Sequence, residues 1–340
     1  MIRPSSPLTM LLSRHTRRRA FITLLGGAAA LPALPRIAQA QGYPTRLVRV
    51  IVPAAAGGPS DVIGRLVAQK LSEAWGKQFV VENVPAGAGN VAAGLAAKAP
   101  PDGYTILFPS SSVVVNPSLY AKLPYDTVRD FAPVTLAAAS PHVLAANPSL
   151  PVKTVAELIS AVKANPGKYT YASPGTGTTG QLAGELFRIS LGLDLTHVPF
   201  NGAAPAITST IGGHTSVMFG ALPGAAPSIK QGQLRALAVT SGKRDQAFPD
   251  VPTLAEAGVP DQESEFIQAV FVPTGTPKEI VHQLYREIAR IVQLPEVKER
   301  LAAIGFTPVG NTPEEFSAQI KRDIARWAKV IREAGIKQIQ

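Results

Sequence analysis

Cysteine is absent from this chain. Its absence excludes disulfides, thiolate metal sites, a cysteine nucleophile and a lipid carried on an N-terminal cysteine. Aromatic residues make up 6% of the sequence, too few for a row of base-stacking platforms. The five histidines, His15, His142, His197, His214 and His282, show no H-x-x-x-H spacing, so no metal site is expected. Each of the last four reads as an ordinary surface or core histidine. Ser110, Ser111 and Ser112 follow a strand-like run but lack the G-x-S-x-G elbow of a hydrolase. No pair of carboxylates has a spacing that suits acid–base work. With no catalytic residue and no cofactor indicated, the residue inventory favours binding over catalysis.

Acidic residues are also missing from the first 40 positions, which carry six arginines (Arg3, Arg14, Arg17, Arg18, Arg19 and Arg36) and no lysine. An apolar stretch runs from Phe21 to Leu34, and Ala38-Gln39-Ala40 follows with a small-x-small pattern. That order of features is a secretory signal peptide, residues 1–40. Its apolar part is shorter than the ~20 residues of a membrane-spanning helix. Arg18-Arg19-Ala20-Phe21 resembles a twin-arginine export signal, although Arg17 replaces the usual Ser or Thr before the pair. The formal charge of +10 falls to +4 once the six leader arginines are set aside. No basic run survives in the remainder, so no nucleic-acid partner is expected. The expectation is a soluble periplasmic protein without a lipid anchor.

What is present is glycine, placed where strands turn into helices. Strand-like apolar runs alternate with helical patterns through about 300 residues, which indicates an α/β architecture of two domains. The runs include Leu47–Val52, Phe79–Val81, Tyr104–Phe108, Val143–Ala146, Thr170–Ala172, Thr196–Val198, Val217–Phe219, Ala236–Val239 and Gln268–Val272. Thr154 with Glu157, and Thr312 with Glu315, form capping boxes, and Thr276-Pro277 reads as a cap with proline at the first helical position.

Two of the strand-to-helix turns draw attention. In the first, Leu47–Val52 runs into Gly57, Gly58, Pro59, Ser60 and Asp61. A helix then opens with Val62, Ile63, Leu66, Val67, Leu71 and Trp75 on one face. The start of a helix has unpaired N–H groups and partial positive charge, so this turn is a ready anion site. The plainer reading is a connecting turn with Ser60 as N-cap. Asp61 either accepts from a ligand or complements the helix dipole. In the second turn Ser173 and Pro174 lead into Gly175, Thr176, Gly177, Thr178, Thr179 and Gly180 ahead of another helix. This segment also fits G-x-G-x-x-G, the dinucleotide fingerprint. An exported NAD(P)-dependent oxidoreductase is therefore an alternative. Against it, Asp194 precedes the next strand where a ribose-binding acid would close it. If the two turns, one in each half of the chain, face each other across a cleft, each would hold an anionic end of one small ligand.

The sequence resembles a family along nearly its whole exported length. Tyr43-Pro44-x-Arg46, Gly57-Gly58-x-x-Asp61, Val81-Glu82-Asn83, Pro101-Asp102-Gly103-Tyr104-Thr105 and Asn116-Pro117-Ser118-Leu119-Tyr120 come first. Asp130-Phe131-Ala132-Pro133-Val134, Tyr171-Ala172-Ser173, His197-Val198-Pro199-Phe200 and Leu234-Arg235-Ala236-Leu237-Ala238-Val239-Thr240 follow in order. This series is similar to that of the Bug (TctC-type) substrate-binding proteins of tripartite tricarboxylate transporters. The resemblance implies a type II-like periplasmic binding fold. Each domain would be a mainly parallel sheet flanked by helices, with a ligand cleft between them. Residues 41–141 plus 272–340 would form domain 1 and residues 142–271 domain 2, with passages near Ser140–His142 and Ala269–Val272.

The resemblance further implies a monomer that captures a small organic carboxylate and presents it to membrane permease subunits, or else serves as the ligand-sensing subunit of a signalling system. The ligand-binding set would comprise Gly57, Gly58, Ser60, Asp61, Ser110, Ser111, Ser173, Gly175, Thr176, Gly177, Thr178, Thr179, Phe200 and Gly220. The chain departs from the family pattern at Ala54, Pro59, Ile267 and Ala269, and at Gly220, where an acid is usual. These departures lead to the expectation of a larger or more apolar carboxylate, possible aromatic acids included, and not an amino acid.

Overall fold

Ten strands and ten α-helices lie within residues 42–340, the part of the chain that the computed structural model describes. The signal-peptide reading falls on residues outside that range. The first half contains β1 (Val48–Val52), α1 (Pro59–Trp75), β2 (Phe79–Asn83), α2 (Asn90–Ala97), β3 (Thr105–Leu107) and α3 (Ser112–Leu119). A long strand, β4 (Phe131–Ala146), leads to α4 (Val155–Ala164), β5 (Tyr169–Ser173), α5 (Thr179–Ser190), β6 (Leu195–Pro199) and α6 (Ala203–Ile211). After these come β7 (Val217–Ala221), α7 (Leu222–Lys230), β8 (Arg235–Val239) and β9 (Glu265–Pro273). The chain closes with α8 (Lys278–Val292), α9 (Pro295–Ala303), β10 (Thr307–Pro308) and α10 (Pro313–Glu333).

Every strand-like run of the sequence lies on a strand. The exception in the other direction is the first part of β4, whose alanines and two prolines carry no strand signal. Long-range pairing makes it a strand: residues 131–141 lie antiparallel to β9, with register shifts after Pro133 and Leu136. Such shifts absorb a residue that cannot donate to the ladder.

The sheet order is β2-β1-β3-β9-β4-β7-β5-β6, with β8 and β10 also paired to β4. Parallel pairing holds only at the two outer sets, β2-β1-β3 and β6-β5-β7. The centre is antiparallel, because β4 and β9 run against their neighbours. The expected mainly parallel sheets are therefore mixed. β4 serves both sides: up to Pro141 it pairs with β9, and from His142 onward with β7 and β8.

Helices cover both faces of both parts. On the first part, α1, α8 and α9 bury Ile63, Leu66, Leu71, Leu284, Ile288 and Leu301 against Val50, Val52 and Phe108. On its other face, α2, α3 and α10 bury Ala92, Val114, Phe316 and Trp327 against Ile51, Leu107, Ile267, Ala269 and Phe271. The second part is covered by α4 and α5 on one face and α6 and α7 on the other. The predicted stripe of α1 holds except at Val62, which is 42% exposed at the stripe's edge. Among the described residues no helix is long and apolar enough to cross a membrane.

Candidate functional site

The pairing registers fix where the two glycine-rich turns lie. β1 and β3 run parallel and end on the side where β9 begins. β5, β6 and β7 run parallel, and Ala221 at the end of β7 pairs with His142. Both sets of carboxyl ends therefore approach Pro141–His142 from opposite directions along β4. In open α/β sheets, ligands bind outside such strand ends. Ser110 bridges Gln268, which is in register with Ala138, while Gly220 is in register with Val143. The step from Ala138 to Val143 corresponds to about 17 Å of extended chain.

At the first turn, Pro59 occupies the first helical position, so Gly58 is the N-cap and the expected cap, Ser60, lies inside the helix. Ser60 and Asp61 are 5% and 4% exposed. The Asp61 carboxylate is engaged within the protein. Gly57 N–H donates to Oδ2 at 2.8 Å, and Asn83 Nδ2 and Arg65 Nε donate to Oδ1 at 2.9 Å each. Burial works against its charge, but the Gly57 N–H, Arg65 and Asn83 outweigh it and hold the acid below its ordinary range. Asp61 thus braces the turn. Gly57 N–H is committed to that brace and Gly58 N–H points back to Ala55 O. Among the described residues, the N–H groups of Ser60 and Asp61 have no protein acceptor, since Val62 N–H already donates to Gly58 O.

The second turn is organised in the same way. Thr178 is the N-cap of α5, its hydroxyl accepting from Gln181 N–H and donating to Gly175 O at 2.7 Å. Gly177 N–H donates to Gln181 Oε1 at 2.6 Å. Gln181 Nε2 donates to His197 Nδ1, which leaves His197 Nε2–H to donate to Ser173 Oγ at 2.7 Å. Burial pushes the His197 pKa down, consistent with this neutral ring. Phe200 N–H donates to Ser173 O, placing Phe200 beside the turn. Gly220 lies under the start of α5: a Cβ on Gly180 would sit 2.9 Å from Phe219 O and 3.5 Å from Gly220 Cα. The N–H groups of Thr176, Thr179 and Gly180 have no acceptor among the described residues. Asp194 precedes β6 at its amino end, the end away from Gly175–Gly180. An acid placed there does not close a dinucleotide site.

Ser110 and Ser111 diverge. Ser110 is bridged to Gln268. Ser111 Oγ accepts from Ile267 N–H at 3.0 Å and donates to Glu265 O at 3.3 Å, locking the start of α3 onto β9. Ser111 also lines a groove of about 190 Å³ on the α10 side, together with Glu263, Glu265, Arg322, Asp323 and Arg326. There burial, with Glu263 and Asp323 nearby, raises the Glu265 pKa. Burial also raises that of Asp323, against Arg326 and Arg322.

Sequence reasoning passed over the polar cluster at the β4 passage. His142 is 2% exposed. Its Nε2 lies 3.0 Å from Thr179 Oγ1, and its Nδ1 lies 3.0 Å from Ser264 Oγ. Thr240 Oγ1 accepts from His142 N–H and donates to Ser264 O. Desolvation, against the Ser264 hydrogen bond, pushes the His142 pKa down to about 4. Ser264 N–H donates to Thr240 O, and Glu265 next to it starts β9. Ala269–Val272 lies buried within β9. Ile267 and Ala269 face α10, while Gln268 between them lies on the opposite face with Ala138, the face covered by α1, α8 and α9. No composition signal separates a buried glutamine from a surface one; only the strand register does.

The sequence matches the family described as "Tripartite tricarboxylate transporter family receptor" over residues 63–336. It is 36% identical to Protein BugT of Bordetella pertussis, over 93% of this chain and 98% of that one. Among solved structures it is similar to "R. palustris Rpa4515 with adipate", at 38% identity and a TM-score of 0.74, covering 87% of this chain and 100% of that one. It is also similar to MatC from Rhodopseudomonas palustris with bound malate, at 31% identity and a TM-score of 0.68, covering 85% and 100%. The α/β fold is that of periplasmic solute-binding proteins, and the chain belongs to the tripartite tricarboxylate transporter receptor family.

Proposed function

We propose that this protein is a periplasmic receptor that captures a small organic carboxylate at the β4 passage and delivers it to membrane permease subunits. The observation that carries the reading is the pair of helix starts, α1 and α5, at strand ends that converge on Pro141–His142. Each offers backbone N–H groups with no protein acceptor among the described residues, and a carboxylate suits such donors without a lysine or arginine. The binding set is Ser60 and Asp61 through their N–H groups, Ser110, Thr176, Thr179 and Gly180, with Phe200 and Gly220 as walls. Gly57, Ser111, Ser173, Gly177 and Thr178 act indirectly, because their polar groups hold the turns in place. Adipate and malate, the ligands of two relatives, are aliphatic dicarboxylates, and this chain is assigned the same ligand class. The apolar Ile267 and Ala269 do not argue for a more apolar ligand, since both face α10. Two domains, exchanging at Pro141–His142 and at Ser264–Glu265, would close on the ligand and present the closed form to the permease.

A thermal-shift panel tests this. At ~100 times its dissociation constant, a ligand adds ~2.7 kcal/mol of stability. Carboxylates that raise Tm support the reading. A response to NAD(P) alone would replace it with the oxidoreductase.

A further inference from the structure

Gln268 is fully buried, and both its Nε2 and its Oε1 lack a hydrogen-bond partner. A carboxamide left so is costly inside a protein, since each unmet donor or acceptor forfeits its hydration. Its position in the fold explains it. Register places Gln268 opposite Ala138 and bridges it to Ser110. Ala138 belongs to the apolar cluster shared by α1, α8 and α9, so Gln268 shares that face of the sheet. A Cβ on Gly64 of α1 would sit 3.1 Å from Val52 Cγ2 and 3.5 Å from Phe108 Cδ1, which fixes the level of the helix over the strands. Four residues back along the helix, about 6 Å, lies Ser60. Two residues onward from Phe108, about 6.6 Å of strand, lies Ser110, the bridge partner of Gln268. The unpaired N–H groups of Ser60 and Asp61 therefore lie at the level of Gln268, on the same side of the sheet.

We infer that the Gln268 carboxamide forms the floor of the capture site and reads a hydroxyl next to the bound carboxylate. The inference rests on the carboxylate-receptor reading above. Ser60 N–H, Asp61 N–H and Gln268 Nε2–H supply donors to one carboxylate group. Gln268 Oε1 remains an acceptor, and a plain carboxylate has no proton to offer it. A hydroxyl on the neighbouring carbon donates to Oε1 and satisfies the amide fully. An ammonium group would donate too, but the nearby acid that would balance its charge, Asp61, is already bonded to Gly57, Asn83 and Arg65. The substrate class is accordingly a hydroxycarboxylate.

The test uses pairs of acids differing by one hydroxyl: malate and succinate, 2-hydroxyadipate and adipate, salicylate and benzoate. Affinities are measured by calorimetry on the wild-type protein and on Gln268→Leu, with Tm measured without ligand. The wild type should prefer the hydroxy member of at least one pair by about tenfold or more, the scale of one buried polar group left unmet. Gln268→Leu should bind both members alike, with an unliganded Tm equal to or above the wild type, because no protein partner is lost. A preference that survives in Gln268→Leu overturns the inference, as does equal wild-type binding of both members of every pair. A clear fall in unliganded Tm also overturns it, by showing that Gln268 serves the fold. If no acid of the panel binds the wild type, the receptor reading itself falls.

Discussion

Replacing Asp61 with alanine separates two roles that a first-turn acid can have. In this structure the carboxylate holds Gly57 N–H and Asn83 Nδ2 at 2.8 and 2.9 Å, with Arg65 at 2.9 Å. A hydrogen bond to a charged group contributes ~1.5–3 kcal/mol. Gly57 is exposed, so water replaces part of its loss. The Arg65 side chain is 52% exposed and adds at most about 1 kcal/mol. Asp61→Ala should therefore cost about 2–3 kcal/mol. For a folded unit of this length the entropy of unfolding is of order 0.6 kcal/mol per degree, so Tm should fall about 4 °C. The sign of the pH dependence follows from the depressed carboxyl. Its contribution is present above the ordinary Asp value of 3.8 and is lost as pH falls through the lower folded value. The gap between variant and wild type should thus be full at pH 7 and close below about pH 4. Calorimetric scans without ligand across that range measure it, and titration with the best acid measures affinity, which should weaken as Ser60 and Asp61 N–H lose their fixed aim. An unliganded Tm within 1 °C of wild type, with binding abolished, would refute the brace and make Asp61 a direct ligand contact.

Three further outcomes are expected. Gly177 has φ +79°, and a Cβ there would fall 2.2 Å from Leu119 Cδ2; Gly177→Ala should cost about 2–3 kcal/mol by combining left-handed strain with overpacking, read as a lower denaturation midpoint. His142 has its pKa pushed down to about 4 by burial, so its neutral form loses stability as pH falls from 6.5 toward 4, by about 3 kcal/mol in full. His142→Gln should flatten that part of the stability–pH curve, and an unchanged slope would contradict the assignment. Glu265 and Asp323 have raised pKa values, so their charging weakens the fold as pH rises above the ordinary carboxylate range; Glu265→Gln and Asp323→Asn should raise Tm at pH 7.5, with the gain vanishing near pH 4.

Helix stripes, capping residues and outer strands were legible in the sequence because each is set by near neighbours. The Thr312–Glu315 capping box forms as read. At α4, Thr154 caps as expected, but Glu157 reaches back to Lys153 N–H instead of Thr154 N–H. Thr276 does not cap α8: its hydroxyl donates to Pro273 O, and Pro277 takes the cap position. What the sequence hid depends on distant pairing. Residues 131–141 look like a proline-broken alanine tract and become strand only against β9. The same register turns Ile267 and Ala269 toward α10 and Gln268 toward the opposite face, under α1, α8 and α9, and a one-residue difference in register would reverse all three.

The two turns were recognised for their donors, yet most of those donors serve the turns themselves. Gly57 N–H goes to Asp61, Gly177 N–H to Gln181, the Thr178 hydroxyl to Gly175 O, and Ser173 Oγ to His197. Fewer groups are left for a ligand than a count of glycines and hydroxyls suggests, but those left are fixed. A flexible glycine turn loses backbone freedom when it orders around a guest, and that loss subtracts from affinity. Here the ordering is done in advance by internal hydrogen bonds. Thr179 extends this to the passage, because its hydroxyl meets His142 on β4 while its N–H opens α5. On the receptor reading, a small anion would meet donors already aimed, which is what a site without a lysine or arginine at either helix start needs in order to bind one.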